Sequence, residues 1–184
     1  MHPAVKKLDK AEKCVYNQCI IIRSSLKMSF EKAKAHLEKY GLENKIKLFD
    51  VSSATVALAA VALGTEEAKI AKTLSFMTPD GVVIGVCAGD TKVNNKKYKS
   101  TFEAKAKMLA HEEVESLVGH GVGGVCPFGV NSNIKIYLDE SLRRFEMVYP
   151  AAGTANSAVE LTLLELERAS EALGWIDVTD VRES

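Results

Sequence analysis

Ile70-Ala71-Lys72-Thr73-Leu74-Ser75-Phe76-Met77-Thr78-Pro79-Asp80-Gly81-Val82-Val83-Ile84-Gly85-Val86-Cys87 is the stretch that decides the fold. Its centre, Thr78-Pro79-Asp80-Gly81, is a strong turn signal, because proline presets φ, aspartate bonds its own backbone and glycine accepts a positive φ. Apolar, β-rich runs flank the turn at 70–77 and 82–87, so the two are expected to pair as an antiparallel hairpin. Side chains alternate across a strand. Ile70, Lys72, Leu74 and Phe76 then share one face, and Ala71, Thr73 and Ser75 the other. A lysine on an apolar face costs free energy unless its ammonium reaches water or a partner. Lys72 therefore either snorkels to the sheet edge or keeps its charge for a pocket, where it would hold a phosphate or polarise a carbonyl.

Working outward, Ser29 precedes Phe30, Ala33, Leu37 and Tyr40 at helical spacing, with Gly41 as the stop. Ile46 and Leu48 suggest a short strand. Ser53 is placed to cap an Ala/Val/Leu-rich helix over 54–63 that Gly64 ends. Beyond the hairpin, 111–118 reads as a helix stopped by Gly119. Ile134, Ile136 and Leu138 mark a strand, as do Phe145, Met147 and Tyr149, and 158–161 is a short third one. Thr162 with Glu165 forms a capping box for the last helix, which Gly174 ends before a closing strand over 175–178. Strands and helices mix without a strict βαβ rhythm, and several strands are joined by short turns. The expected fold is α+β: a single domain over 28–184 with a mixed, partly barrel-like sheet and flanking helices.

The chain has 184 residues and is 47% hydrophobic, enough for one sizeable core. Its formal net charge is zero, but residues 1–27 hold six Lys/Arg against two Asp/Glu, which leaves the rest slightly acidic. Tight binders of nucleic acid present basic surfaces, so a nucleic-acid partner would be held weakly or by one local patch. Lys92, Lys96, Lys97, Lys99, Lys105 and Lys107 form the only basic concentration in the main body, either a solvated face or a phosphate-binding patch. Residues 1–27 read as a poorly ordered extension. Their apolar run at 19–22 is too short to span a membrane and lacks the features of a secretory signal, so a cytoplasmic protein without a membrane partner is expected.

Cys14, Cys19, Cys87 and Cys126 form no CxxC pair and read as free thiols in a reducing compartment. Cys126 would need a base within reach to act as a nucleophile, with His111 and His120 the candidates, although most lone cysteines are core residues. The four histidines make no HxxxH or HxH pair and no acidic cluster accompanies them, so no metal site is expected. There is no GxSxG elbow. The loop over 119–129 holds five glycines, which let a backbone approach a ligand and present N–H groups to it, or simply form a tight turn.

Ile70-Ala71-Lys72-Thr73-Leu74, Gly123-Gly124-Val125-Cys126-Pro127-Phe128-Gly129, and Tyr149-Pro150-Ala151-Ala152-Gly153 continuing to Ala158-Val159-Glu160-Leu161 together resemble the YbaK-type aminoacyl-tRNA deacylases, relatives of the editing domain inserted in bacterial prolyl-tRNA synthetases. The resemblance runs from about Met28 to Val178. It implies hydrolysis of the ester that joins a wrong amino acid to the tRNA 3′ end, without metal or other cofactor. The family's functional lysine falls on Lys72. Its glycine–proline loop falls on Gly123, Gly124, Pro127, Phe128 and Gly129, and the early Ala-Thr pair brings in Thr55. The implied mechanism has water attack the ester carbonyl, with backbone N–H groups around Gly124 stabilising the oxyanion and Lys72 fixing a phosphate or the carbonyl.

Two positions depart from familiar members. Ala158 stands where some carry an aspartate, and Ala57 where some carry a tyrosine. Gly153, Thr154, Asn156 and Ser157 offer polar groups instead, either to read the amino acid or to cap a surface loop. The expected substrate is a tRNA mischarged with a small amino acid such as Ala, Ser, Thr or Cys, and the expected associate a tRNA synthetase. Two other readings compete: a non-catalytic module that binds an aminoacyl or nucleotide end beside a synthetase, and a thiol hydrolase using Cys126.

Overall fold

The computed structural model describes residues 27–182. The expected extension over 1–27 lies outside them except for Lys27, and so do Cys14 and Cys19. Helix α1 occupies 27–38 and buries Ala33 and Leu37. It is already formed two residues before Ser29, which is therefore not its cap. Gly41 takes a left-handed φ of 69° and ends the segment as expected. Strand β1 (Ile46–Leu48) follows, then α2 (Val56–Leu63). The cap of α2 is Thr55 rather than Ser53: its side chain accepts from the Leu58 N–H, and Gly64 closes the helix at φ 65°.

The deciding hairpin forms as read. Strands β2 (Ile70–Thr78) and β3 (Gly81–Ala88) pair antiparallel in continuous register from Thr78↔Gly81 to Ala71↔Ala88. Strand β4 (Thr91–Val93) leads into α3 (Asn95–Phe102), capped by Asn94. Helix α4 (His111–Val118) ends at Gly119. Strand β5 (Lys135–Asp139) precedes β6 (Met147–Pro150). Phe145 stays outside β6, because it ends the 3-10 turn Glu140–Arg144.

The expected strand over 158–161 is two strands. β7 (Ser157–Val159) pairs with β1, whereas β8 (Leu161–Thr162) pairs with β6. The capping box of Thr162 and Glu165 opens α5 (Leu163–Ser170) as read, but the helix ends earlier than Gly174, with Glu171 taking the left-handed turn at φ 51°. The Tyr40 hydroxyl donates to the Glu171 carboxylate at 2.7 Å, a tertiary contact that fixes that end. The closing strand is β9 (Trp175–Ile176), followed by β10 (Thr179–Val181) against β4.

The main sheet runs β8-β6-β2-β3-β5-β9, with parallel β6–β2, β3–β5 and β5–β9 pairs around the antiparallel hairpin. It is curled into a half-barrel, so the chain is one α+β domain with a mixed sheet and flanking helices. One face of the hairpin, with Ala71, Ile84, Val86 and Ala88, joins the principal core of Leu37, Val118, Phe128, Leu138 and Leu166. The other face carries two smaller clusters. Ile70 packs with Ala59 and Ala60 of α2, while Phe76 packs with Val83, Tyr98 and Val178. Lys72 stands on that second face, between the two clusters.

Candidate active site

Strand β2 is nine residues long, but its outer edge is covered only at the ends. β6 pairs with Ile70 and Ala71 and then turns away at Pro150, which has no N–H to continue a ladder. Further along, Met77 donates its N–H to Lys107 O at 2.9 Å and Ser75 O accepts from Leu109 N–H at 3.1 Å. Thr73 lies between these two covers on the same edge. Its hydroxyl is buried and has no hydrogen-bond partner among the described residues.

This gap opens into a cavity of about 470 Å³, large enough for a small organic group and its attachment. Its walls come from the residues before α2 (Ser53, Ala54 and Thr55), from β2, from Leu109 and Val114, from Gly123 and Val125 of the glycine loop, and from Ser157 and Ala158 of β7. Apolar side chains dominate, including Val56, Ala59, Ile70 and Ala151. Lys72 is the charged member of the wall. Its ammonium donates to Gly89 O at 3.1 Å and to Thr91 O. An ammonium has three donors, so two are spent on the turn between β3 and β4 and one remains. Burial pushes the Lys72 pKa below its ordinary value, while the Cys87, Asp90 and Asp139 side chains act the other way. The residue neither snorkels freely to water nor hangs loose in the cavity. It is pinned at the wall by two carbonyls.

The glycine loop divides its work. Gly123 reaches the cavity wall and adopts φ 86°, and a β-carbon there would come within 3.1 Å of Ala54. Gly124 does not line the cavity. A β-carbon on it would lie 2.6 Å from Gly153 O and from the Thr154 backbone, so it is where two loops meet backbone to backbone. Its N–H donates to Gly121 O at 3.0 Å and is already used, whereas the Gly123 N–H has no hydrogen bond among the described residues. Pro127 and Phe128 are buried, with Phe128 in the principal core, and Gly129 packs its α-carbon against the α1 backbone at Lys32. These three anchor the loop and do not touch the cavity.

The segment 153–157 behaves similarly. The Thr154 hydroxyl donates to the Ser157 hydroxyl at 2.8 Å, and Ser157 in turn donates to Thr154 O at 3.2 Å. The Asn156 amide donates to Phe49 O at 3.2 Å, and a β-carbon on Gly153 would meet Ser29 O at 2.5 Å. Only Ser157 of this group reaches the cavity wall, while Gly153, Thr154 and Asn156 hold the loop together. Thr55 lines the cavity while its side chain caps α2.

Cys126 and His120 do come together, with Sγ 3.7 Å from Nε2, but both are fully buried and neither lines the cavity. Burial pushes the Cys126 thiol up to about 12 and holds the His120 pKa below its ordinary value. A neutral thiol sealed in the core is a packing group. His111, the other candidate base, stands on the cavity wall away from the thiol. Thr73, Tyr149, Met108 and Val122 are wall residues that the sequence alone does not single out. Pro150 was the available hint, since a proline ending a strand exposes the neighbouring edge.

Comparison with known proteins converges on one family. The family model described as the aminoacyl-tRNA editing domain matches residues 51–169. YwhH of Bacillus subtilis (strain 168), itself uncharacterised, is 47% identical over 152 residues, covering 82% of this chain and 97% of YwhH. A proline–tRNA ligase of Bacillus cereus (strain AH820) is 27% identical over 154 residues, which are 83% of this chain but 25% of the ligase. The chain thus spans a quarter of the length of that ligase. Among solved structures, a candidate trans-editing enzyme for prolyl tRNA synthetase superposes with a TM-score of 0.75 at 29% identity, covering 83% of this chain and 97% of that one.

Proposed function

This chain belongs to the aminoacyl-tRNA editing domain family, and on that premise we propose that it is a deacylase acting in trans on tRNA mischarged with a small amino acid. The observation that carries the proposal is the cavity at the open edge of β2, whose apolar wall brings together the pinned Lys72, Thr73 and Gly123, a glycine whose N–H is unbonded among the described residues. Uncharged walls built from Ala54, Ala59, Ala71, Ala151 and Ala158 favour a small, uncharged side chain such as that of Ala, Ser, Thr or Cys. Likeness to a proline ligase and to a candidate trans-editing enzyme for prolyl tRNA synthetase supports tRNA for proline as the carrier and the synthetase as an associate.

In the mechanism, a water oxygen bonds to the ester carbonyl carbon. The carbonyl oxygen gains charge, and the donor assigned to it is the Gly123 N–H, which belongs to a wall residue and is unbonded among the described residues; a preorganised donor of this kind typically contributes about 100-fold in rate. The bond from the carbonyl carbon to the ribose oxygen then breaks, one proton of the attacking water ends on that ribose oxygen to give the free hydroxyl, and the amino acid leaves as its carboxylate, the second proton passing to solvent. The remaining Lys72 donor holds the carbonyl or a terminal phosphate.

The test is clearance of tRNA for proline charged separately with Ala, Ser, Thr, Cys and Pro. The expected outcome is hydrolysis of at least one mischarged form well above the buffer rate, with Pro-tRNA spared. Binding of all forms with clearance of none would favour the non-catalytic module instead.

A further inference from the structure

The cavity wall continues onto the surface through side chains that a solvated rim would not normally carry. Met108 is 56% exposed and Val122 is 44% exposed, and the His111 ring is exposed as well. All three line the cavity, so they stand at its mouth. Their chain neighbours Leu109 and Val114 turn inward and join the core, which accounts for the buried wall and leaves these three without a packing role. They are also held in place. The Lys107 carbonyl and the Leu109 N–H are both bonded to β2, and Phe76 bridges to Met108 itself, so Met108 sits on a pinned segment. His111 is the first residue of α4.

Beside this apolar ledge stand Lys105 and Lys107, both exposed. Neither forms an ion pair among the described residues, in contrast to Lys97, which is held by Asp177 and Asp180. An apolar and aromatic ledge flanked by unpaired cations is the combination that single-stranded nucleic acid uses: bases lie on the ledge and phosphates meet the cations. A protein or lipid partner would need a broader apolar face than three side chains supply.

We infer that Met108, His111 and Val122 form the platform for the terminal nucleobase of an RNA 3′ end, and that Lys105 and Lys107 hold the phosphates just upstream of it. This rests on the deacylase reading for its substrate, and it adds where the nucleic acid lies: the base stays at the mouth and only the acyl group enters the cavity. It also reconciles a slightly acidic body with an RNA partner, since the grip is confined to one strand and one rim.

The experiment measures binding of the full-length protein to a fluorescent RNA oligonucleotide ending in CCA, and to the same oligonucleotide with an abasic terminal residue. Wild type is expected to prefer the intact end by about ten-fold. The double variant Met108→Ser/Val122→Ser should lose that preference, and His111→Ala should reduce it. Lys105→Ala/Lys107→Ala should weaken both oligonucleotides and flatten the salt dependence while leaving the preference intact. All these side chains are exposed, and an unchanged circular dichroism spectrum and unfolding midpoint secures the comparison.

Equal binding of the two oligonucleotides by wild type, or a preference that survives the ledge variant, overturns the inference. So does a protein that sediments as a dimer and becomes a monomer in the ledge variant with RNA binding unchanged, because the ledge is then a contact between copies. The readout does not depend on hydrolysis. Base preference in a protein that clears no aminoacyl-tRNA would uphold the platform and defeat the deacylase reading, whereas clearance without base preference would do the reverse.

Discussion

Thr73 carries a buried hydroxyl without a hydrogen-bond partner among the described residues, at the stretch of the β2 edge between its two covers. Leaving a buried polar group unsatisfied costs about 1–3 kcal/mol, a cost relieved only if the wall shifts on binding and lets a substrate group reach the hydroxyl. Thr73→Val keeps the shape and removes the hydroxyl. It is expected to leave the urea midpoint unchanged or higher, and to raise KM for aminoacyl-tRNA by about five- to ten-fold, the worth of one hydrogen bond. A lowered midpoint would make the hydroxyl structural instead. Gly124 makes a different demand, because its missing β-carbon lets the glycine loop touch the 153–154 backbone. Gly124→Ala should destabilise the fold by about 1–3 kcal/mol, as overpacking does, and should lower kcat/KM by shifting Gly123 at the wall. Equilibrium unfolding and initial rates check both effects. At this scale the sequence was informative about residue type and silent about bonding. Lys72 was conspicuous by parity, and its place between two apolar clusters bears that parity out. The Gly124 glycine was legible, but the diversion of its N–H to Gly121 was not. Thr73 passed unnoticed because its importance depends on where β6 stops, which is a tertiary fact.

Helix α2 has the sequence VALAAVAL, apolar all round, so no periodicity says which side is buried. The structure buries Ala59 and Ala60 and leaves Val61 81% exposed. With no polar stripe and only eight residues, the helix depends on its ends and on one packed face. Thr55 supplies the N-terminal cap and is itself part of the cavity wall. Thr55→Ala is expected to cost about 1 kcal/mol in equilibrium unfolding and to raise KM with little change in kcat, because it loosens a wall that holds the acyl group. An equal fall in kcat would place Thr55 in the chemistry. Element boundaries show the same limit of sequence reading. Helix starts and glycine stops were found to within a few residues, as at Gly64 and Gly119. The end of α5 was misplaced at Gly174 because Tyr40, 131 residues away, stabilises Glu171 in a conformation that glycine usually takes. The 158–161 run was read as one strand because its split is imposed by two different partners.

For the molecule as a whole, the principal core closes around a buried imidazole. One ring nitrogen of His120, Nε2, lies 2.7 Å from Phe128 O and is the donor in that hydrogen bond, whereas Nδ1 is buried without a partner among the described residues, so a second proton would bring an unpaired charge into the core. Burial accordingly holds its pKa below the ordinary 6.5. The unfolded chain then takes up the proton first as the pH falls, so stability declines below about pH 6.5, by at most about 1.4 kcal/mol per pH unit for this one site. Urea midpoints measured across that range should fall, and His120→Gln should flatten the decline; a decline of equal slope in that variant would assign it to other groups. The family and the α+β architecture were legible from three motifs and one hairpin, because both depend on local patterns. The cavity was not, because it is assembled from six separated stretches of chain. Its assignment as the reaction site, with the thiol excluded, is the central claim. The direct measurement is the single-turnover rate on the best-cleared mischarged tRNA for wild type, Lys72→Ala and Cys126→Ser. The account predicts a fall of about 100-fold or more for Lys72→Ala and a rate within a few-fold of wild type for Cys126→Ser. Loss of activity in Cys126→Ser with Lys72→Ala unaffected would contradict it.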